Sequence, residues 1–299
     1  MPSVLIRDRG FLLRKEVVGV MQPQRGTLCV FAAALLYSIG GLCIKVIPWS
    51  GMAINGGRTA IALIVISAYL VWRRHPLKFN RWVLVGALSV FGCNALFSIA
   101  NKMTTAANAI VLQFTAPIFV LVFSILLFGT KPTRLDIVTC AFVFGGILFF
   151  FLDSLEKGNN AGNVVALLSG VAYAGVFFMN DLPEGDAISS VFWGDVISAV
   201  TGLPFLMRET EFTSTAVGSL LILGVFQVAL AYILLTEGLK TTPAVTASLV
   251  SGIEPVLNPI LVAVFYHEYI GPMSFVGAVI VVGSVIAYNV MLARRKAHT

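Results

Sequence analysis

Three ionisable side chains stand inside long apolar runs of the chain: Arg58 within 51–72, Asp195 within 187–207 and Glu254 within 243–266. An isolated charge in such surroundings is expensive, so each is a functional candidate by default. Glu254 lies deepest, about ten residues in. A carboxylate there can hold a cationic amine, or bind and release a proton; its structural alternative is to pair with helix ends or with Arg58. Arg58 and Asp195 sit eight to nine residues into their runs. They suit a charge-paired gate or a contact to a ligand carboxylate. Their runs enter from opposite sides, however, so the sequence reads them as apart, on a hydrated cavity wall. Among prolines, Pro117, Pro255 and Pro259 each withdraw the backbone donor from the carbonyl four residues earlier. The freed carbonyls of Gln113, Ser251 and Pro255 can accept from an ammonium, with the prolines as hinges; the plainer reading is a kink satisfied by neighbours. Tyr37, Asn94, Gln113, Tyr173, Trp193, Gln227 and Asn258 add polar and aromatic groups in mid-run. Aromatic walls with a few polar groups suit an amphipathic small molecule, although such residues also glue helices together or face lipid.

Enzymatic chemistry finds no support. Cys29, Cys43, Cys93 and Cys140 lack metal-ligand spacing and read as packing residues. His75, His267 and His298 fall in loops or tails, and no Gly-x-Ser-x-Gly or His-Glu-x-x-His occurs. No metal, no cofactor and no catalysis are expected.

The elements that must hold these residues follow from composition. The 299 residues are 58% hydrophobic and 11% charged, with mean hydropathy +0.93. Ordinary soluble domains are roughly 45–50% apolar and about 25% charged. This excludes a soluble enzyme, a disordered chain, a nucleic-acid binder and a disulfide scaffold, and leaves a protein whose solvent is a lipid bilayer. Seven runs free of charge, together with the three that hold one, predict ten transmembrane helices. Continuous runs without alternation favour helices over a barrel. The fifth run, between Asp136 and Asp153, is the shortest. With ten spans, 15 of the 20 lysines and arginines fall on the side that holds both termini, and only Lys102, Lys157 and Arg208 on the other. The positive-inside rule places both termini in the cytoplasm, so the net charge of +6 is an orientation signal and calls for no nucleic acid. Residues 1–24 read as a cytoplasmic tail or an amphipathic surface stretch, and 294–299 as a second tail. The first span is too long for a cleaved signal peptide.

The chain also repeats itself. Residues 94–152 superpose on 232–290 without a gap: Lys102 meets Lys240, Thr104 meets Thr242, Pro117 meets Pro255 and Gly145 meets Gly283. Gly26 and Tyr37 likewise match Gly162 and Tyr173. The reading is a five-helix unit over 25–153, duplicated over 158–293. Five is odd, so the second copy is inverted in the membrane, a symmetry associated with alternating-access carriers.

Glu254-Pro255-Val256, the apolar run to His267-Glu268, and the last helix with Gly277 and Gly283 resemble the EamA-type helices of the drug/metabolite transporter superfamily. So do Ala116-Pro117-Ile118, Gly129-Thr130 and Gly145-Gly146, and Arg58 followed by Ala60, Ala62 and Leu63. Gly129-Thr130 departs from that family's Gly-Glu, which puts a carboxylate cap there in doubt. The closest subfamily in character is the amino-acid exporters of the YddG type. The resemblance implies ten helices around a central cavity. It also implies export of small metabolites, most simply amino acids, across the bacterial inner membrane by a monomer or weak dimer. A channel would call for rings of polar groups around a pore, and an intramembrane enzyme for clustered reactive groups; neither is visible.

Overall fold

The computed structural model describes residues 23–104, 106–152, 159–266 and 271–297. In chain order the elements are α1 (Pro23–Tyr37), α2 (Gly40–Lys45), α3 (Gly51–Trp72), α4 (Arg81–Met103), α5 (Ala106–Gln113), α6 (Ala116–Leu126) and α7 (Arg134–Phe151). There follow α8 (Asn160–Phe177), α9 (Ala187–Leu206), α10 (Ser214–Ile222), a π-helical stretch (Leu223–Leu230), α11 (Ala231–Gly238), α12 (Ala244–Ser251), α13 (Glu254–Tyr266) and α14 (Pro272–Ala297). No strand occurs among the described residues. Most of the tail 1–24, Lys157 and His267-Glu268 lie outside them.

Eight helical segments among the described residues are long and apolar enough to cross a membrane: Gly51–Trp72, Arg81–Ala100, Asn108–Leu126, Arg134–Phe151, Asn160–Phe177, Ala187–Leu206, Ser214–Gly238 and Pro272–Arg294. The doubtful fifth run is thus a full 18-residue helix. The stretches expected to form the other two spans are not among these eight; each holds two shorter helices, α1 and α2 in one and α12 and α13 in the other. The cause is local. At Ile39 the amide bonds back to Leu36 at 3.2 Å, and at Gly252 and Ile253 to Leu249 and Val250 at 3.1 and 3.3 Å. Such i→i−3 turns tighten the helix and change its direction. The Ser38 hydroxyl also claims the Ala34 carbonyl at 2.8 Å, a side-chain bond that bends helices. A third tight turn, from Thr115 back to Leu112 at 3.3 Å, separates α5 from α6 just before Pro117.

Helix ends are fixed by polar caps. Ser50 accepts from Ala53, Asn80 from Trp82 and Val83, and Asn159 from Ala161. Thr133 and Asp136 form a capping box at α7. At the end of α6, Gly129 adopts φ +62°, which a side chain would resist. The turn lets both the amide and the hydroxyl of Thr130 donate to Ser124 O at 2.9 Å. A hydroxyl therefore closes the helix at the position where the sequence departs from the family's Gly-Glu pattern.

Two antiparallel pairs frame the molecule. In the first, α3 lies on α9. One end is pinned by Ser50 N–H to Glu209 Oε1 at 2.9 Å and Trp49 Nε1–H to Glu211 O at 2.8 Å. The other is pinned by Asp186, whose carboxylate oxygens each lie 3.1 Å from His75 Nε2, with Lys78 Nζ at 3.8 Å. In between, the backbones touch at Gly56 and Gly202. A Cβ on Gly56 would stand 2.3 Å from the Gly202 carbonyl carbon. In the second pair, α7 lies on α14. Tyr288 O–H donates to Asp136 Oδ1 at 2.6 Å at one end and Ser274 O–H to Phe150 O at 2.8 Å at the other. Helix α4 packs on α8 and α9, and α1 on α11 and α12.

Asp186, at the start of α9, gives a pH signature. Burial alone would raise its pKa; the Ser189 backbone and side chain and the His75 ring outweigh that and hold it below the ordinary carboxylate value. A depressed folded-state pKa adds stability above the unfolded value of about 3.9, lost as pH falls through the folded value. With about 1 kcal/mol for the helix cap, Asp186→Ala is expected to melt about 2–4 °C below the parent protein at pH 7. In thermal scans of the detergent-solubilised protein the gap should narrow below about pH 4. A gap that stays constant with pH would mean the carboxylate charge contributes nothing.

Candidate functional site

Arg58 stands at the centre of a polar network that α3, α4 and the π-helical stretch bring together. Its Nη1–H donates to Gln227 Oε1 at 3.0 Å, and its Nη2–H to Asn55 Oδ1 at 3.0 Å and Asn94 Oδ1 at 3.4 Å. Asn55 lies one helical turn before Arg58, on the same face. The π stretch carries an extra residue per turn, a feature frequent at functional sites. Asn94 Nδ2–H in turn donates to the Tyr232 hydroxyl at 3.1 Å. Arg58 is 5% exposed and Asp195 0%.

Asp195 does not line a hydrated wall apart from Arg58, as the sequence suggested. It is buried within electrostatic reach of Arg58 and of Tyr232. The depth estimate failed because eight or nine residues from opposite ends of an antiparallel pair leave roughly 7 Å between the levels, at 1.5 Å per residue. An arginine side chain covers that. Both Asp195 oxygens are nevertheless without a hydrogen-bond partner among the described residues.

A second pole forms around Glu254, at the start of α13. Tyr173 O–H donates to its Oε2 at 3.4 Å, and Ser38 O–H reaches its backbone carbonyl at 3.5 Å. The breaks in the first and ninth expected spans therefore meet beside this carboxylate. Tyr173 packs edge-on to Phe114 with centroids 5.9 Å apart. Tyr37, whose hydroxyl is buried and unpartnered, joins the two poles. Its ring lies edge-on to Tyr232 at 5.5 Å, and it neighbours Glu254 and Tyr173. Cys93 is packed in the hydrophobic core, as the sequence suggested, and is within electrostatic reach of both Arg58 and Glu254. Asn94, Gln227, Glu254 and Asn258 are half-buried.

The structure thus gathers Tyr37, Arg58, Asn94, Gln113, Tyr173, Asp195, Gln227 and Glu254 into one region, and adds Asn55, Cys93 and Tyr232. Gln113 donates to the Cys93 carbonyl at 3.5 Å. Asn258 lies one turn beyond Glu254 on α13. Trp193 belongs elsewhere. Its indole N–H donates to Lys78 O at 3.1 Å and its ring meets Phe79 at 5.1 Å, at the loop end of α9. The freed carbonyl before Pro117 is also not open to a ligand: Gln113 O packs against Gly170 of α8, 2.8 Å from where a Cβ would stand. That proline kinks the helix against a neighbour. Pro255 is buried at the start of α13; Pro259 follows in the same helix, its side chain outside the described ones.

Two stretches of the chain, 24–152 and 160–290, each match the model of the EamA-like transporter family. The chain belongs to this family. Like its relatives, it is a multi-pass membrane transporter. It is 22% identical over 272 residues to the uncharacterized transporter YyaM of Bacillus subtilis (strain 168), covering 84% of this chain and 88% of that protein. It is 31% identical over 164 residues to the uncharacterized inner membrane transporter YedA of Escherichia coli (strain K12), covering 50% of this chain and 52% of the other. A crystal structure superposes with TM-score 0.77 at 19% identity, covering 90% of this chain and 98% of that one. The fold of this EamA-like transporter is therefore shared well beyond the reach of sequence identity.

Proposed function

We propose that this transporter carries zwitterionic amino acids across the bacterial inner membrane by alternating access, in the direction of export. The observation that carries the reading is the separation of charge in one aromatic-walled region. Arg58 offers a cation for a substrate carboxylate, and Glu254 offers an anion for its ammonium. Cys93 and Tyr37 are each within electrostatic reach of both. Opposed charges held apart in a low-dielectric setting select a ligand with matching poles and reject one that lacks either.

Alternating access needs two halves that can exchange conformations, and the reading of two inverted five-helix repeats has support in the contacts. Adding 138 to Asp136 and Phe150 gives Ser274 and Tyr288. Asp136 bonds Tyr288 and Phe150 bonds Ser274, so each contact is the other's mate. A shift of 138 carries Met103 and Thr104 to Thr241 and Thr242, and one of 136 carries Gly26 to Gly162, so the approach of Gly162 to the first two is the mate of that of Gly26 to the second two. Ten spans with both termini in the cytoplasm agree with loop contacts such as His75 to Asp186, which join ends assigned to one side. The tight turns beside Pro117 and Pro255 serve as hinges.

The test is flux of a panel of radiolabelled metabolites in reconstituted vesicles. Saturable amino-acid flux, competed by free amino acids but not by their methyl esters or N-acetyl derivatives, is expected. Linear, uncompeted flux would indicate a channel. Glu254→Gln, which keeps the shape and removes the anion, should lower amino-acid flux about tenfold or more, corresponding to about 1.4 kcal/mol for the lost charge-assisted bond. Unchanged flux would remove Glu254 from the site.

A further inference from the structure

Asp195 has no part in the reading above, and its setting is unusual. It is 0% exposed, and among the described residues neither carboxylate oxygen has a hydrogen-bond partner. A buried charge is ordinarily tied to its counter-ion by hydrogen bonds. Here the neighbouring guanidinium gives its bonds to three neutral amide oxygens instead, those of Asn55, Asn94 and Gln227. Nor can Asp195 act as a moving gate. Helices α3 and α9, which carry the two charges, are in backbone contact at Gly56 and Gly202 and pinned at both ends. Arg58 belongs to the first repeat and Asp195 to the second, yet these contacts hold the two helices as a unit in any motion that preserves them, so what changes there between Arg58 and Asp195 is protonation and rotamer.

We propose that Asp195 is a proton-binding site of this carrier, loaded when a substrate carboxylate occupies Arg58. The inference rests on the amino-acid reading of Arg58. Among the described residues, the titratable groups within electrostatic reach of Asp195 are Arg58 of α3 and Tyr232 of α11, and Cys93 of α4 and Tyr37 of α1 are in turn within reach of Arg58. With the site empty, Asp195 as carboxylate balances the Arg58 guanidinium. A substrate carboxylate at Arg58 sets two anions against one cation in a low-dielectric interior, where repulsion is strong. One proton added to an Asp195 oxygen restores the balance, and it leaves when the substrate does. The Tyr232 hydroxyl accepts from Asn94 Nδ2–H at 3.1 Å, which leaves its own proton uncommitted within electrostatic reach of Asp195. Proton and amino acid then travel together. An inward proton gradient opposes export, and efflux runs on the amino acid's own excess, as an overflow route does.

The experiment measures, in vesicles containing a trapped pH indicator, how many protons move per radiolabelled amino acid. The full-length protein should move about one proton with each substrate, in the same direction. Asp195→Asn, whatever its rate, should move amino acid with none. Protons that move against the substrate, a ratio of zero in the parent protein, or a ratio of one that survives in Asp195→Asn would each overturn the proposal. Should the asparagine variant not fold, the parent protein still decides. Its apparent affinity for a neutral amino acid should tighten about tenfold per pH unit as pH falls over the range in which Asp195 titrates, and an affinity independent of pH from 5 to 8 would sink the idea. If the parent protein moves no amino acid at all, it is the underlying substrate reading that has failed.

Discussion

Arg58→Leu is expected to lose amino-acid transport and to melt well below the parent protein. The guanidinium satisfies Asn55, Asn94 and Gln227 at once and is the nearest positive charge to a fully buried Asp195. Its removal leaves three amide oxygens short of a donor and a carboxylate without its counter-ion. Breaking one partner of a buried charge pair costs about 3–5 kcal/mol. On the transport side, loss of the carboxylate anchor at about 3 kcal/mol lowers flux about 100-fold. The two effects separate in a double variant. Arg58→Leu/Asp195→Leu removes both charges and should recover most of the melting temperature, because apolar replacements of a buried pair are often neutral or stabilising. Flux should stay at background. Thermal scans in detergent alongside vesicle flux read both. If the single variant melts and transports like the parent, the polar centre described above is not the heart of the protein.

Gly56→Ala carries the largest structural penalty for the smallest chemical change. One methyl group would meet Gly202 C at 2.3 Å and Leu203 N at 2.5 Å. Both are backbone atoms of a helix pinned at its two ends, so they cannot step aside as a side chain would. Overpacking of this kind costs about 3 kcal/mol, equivalent to a drop of about 6–12 °C in melting temperature at 2–4 °C per kcal/mol. The control is Gly145→Ala, where nothing lies within 4 Å of the new carbon and no change is expected. Size-exclusion profiles and melting of the two variants decide it. A Gly56→Ala protein as stable as the control would mean that α3 and α9 do not cross here.

Much of this centre was legible in the sequence, because burying polar groups in an apolar run needs a reason and few residues qualify. Arg58, Asp195 and Glu254 are conspicuous on that ground alone, and Tyr37, Asn94, Tyr173 and Gln227 follow as mid-run polar groups. The partnering of Arg58 with Asp195 was not legible, since it depends on α3 and α9 running antiparallel in contact. Two of the omissions had a signal. Asn55 stands three residues before Arg58, hence on its face, and Tyr232 is the repeat mate of Asn94. Cys93 had none, because a lone thiol in a helix has no pattern. The π-helical stretch was equally silent, for Leu223–Leu230 contains no proline, and its Gly224 and Gln227 occur as readily in an ordinary α-helix. Trp193 misled because its depth looked suitable, whereas its indole N–H found a loop carbonyl. The broken helices were half visible: Pro255 announces the ninth, and only the Ser38 back-bond explains the first.

The pairing of α7 with α14 and of α3 with α9 has a consequence for biosynthesis. Gly146 waits for Gly277, and Arg58 for Asp195, each more than a hundred residues downstream. At roughly 5–20 residues per second of translation, the helices up to α7 spend on the order of 10 s in the bilayer with the faces that meet α9 and α14 unmatched and an arginine lacking its counter-ion. Another newly made chain at the same stage offers the same unmatched faces. Prompt completion of each chain, or an insertase that shelters the half-made one, is therefore part of what lets this protein reach its folded state.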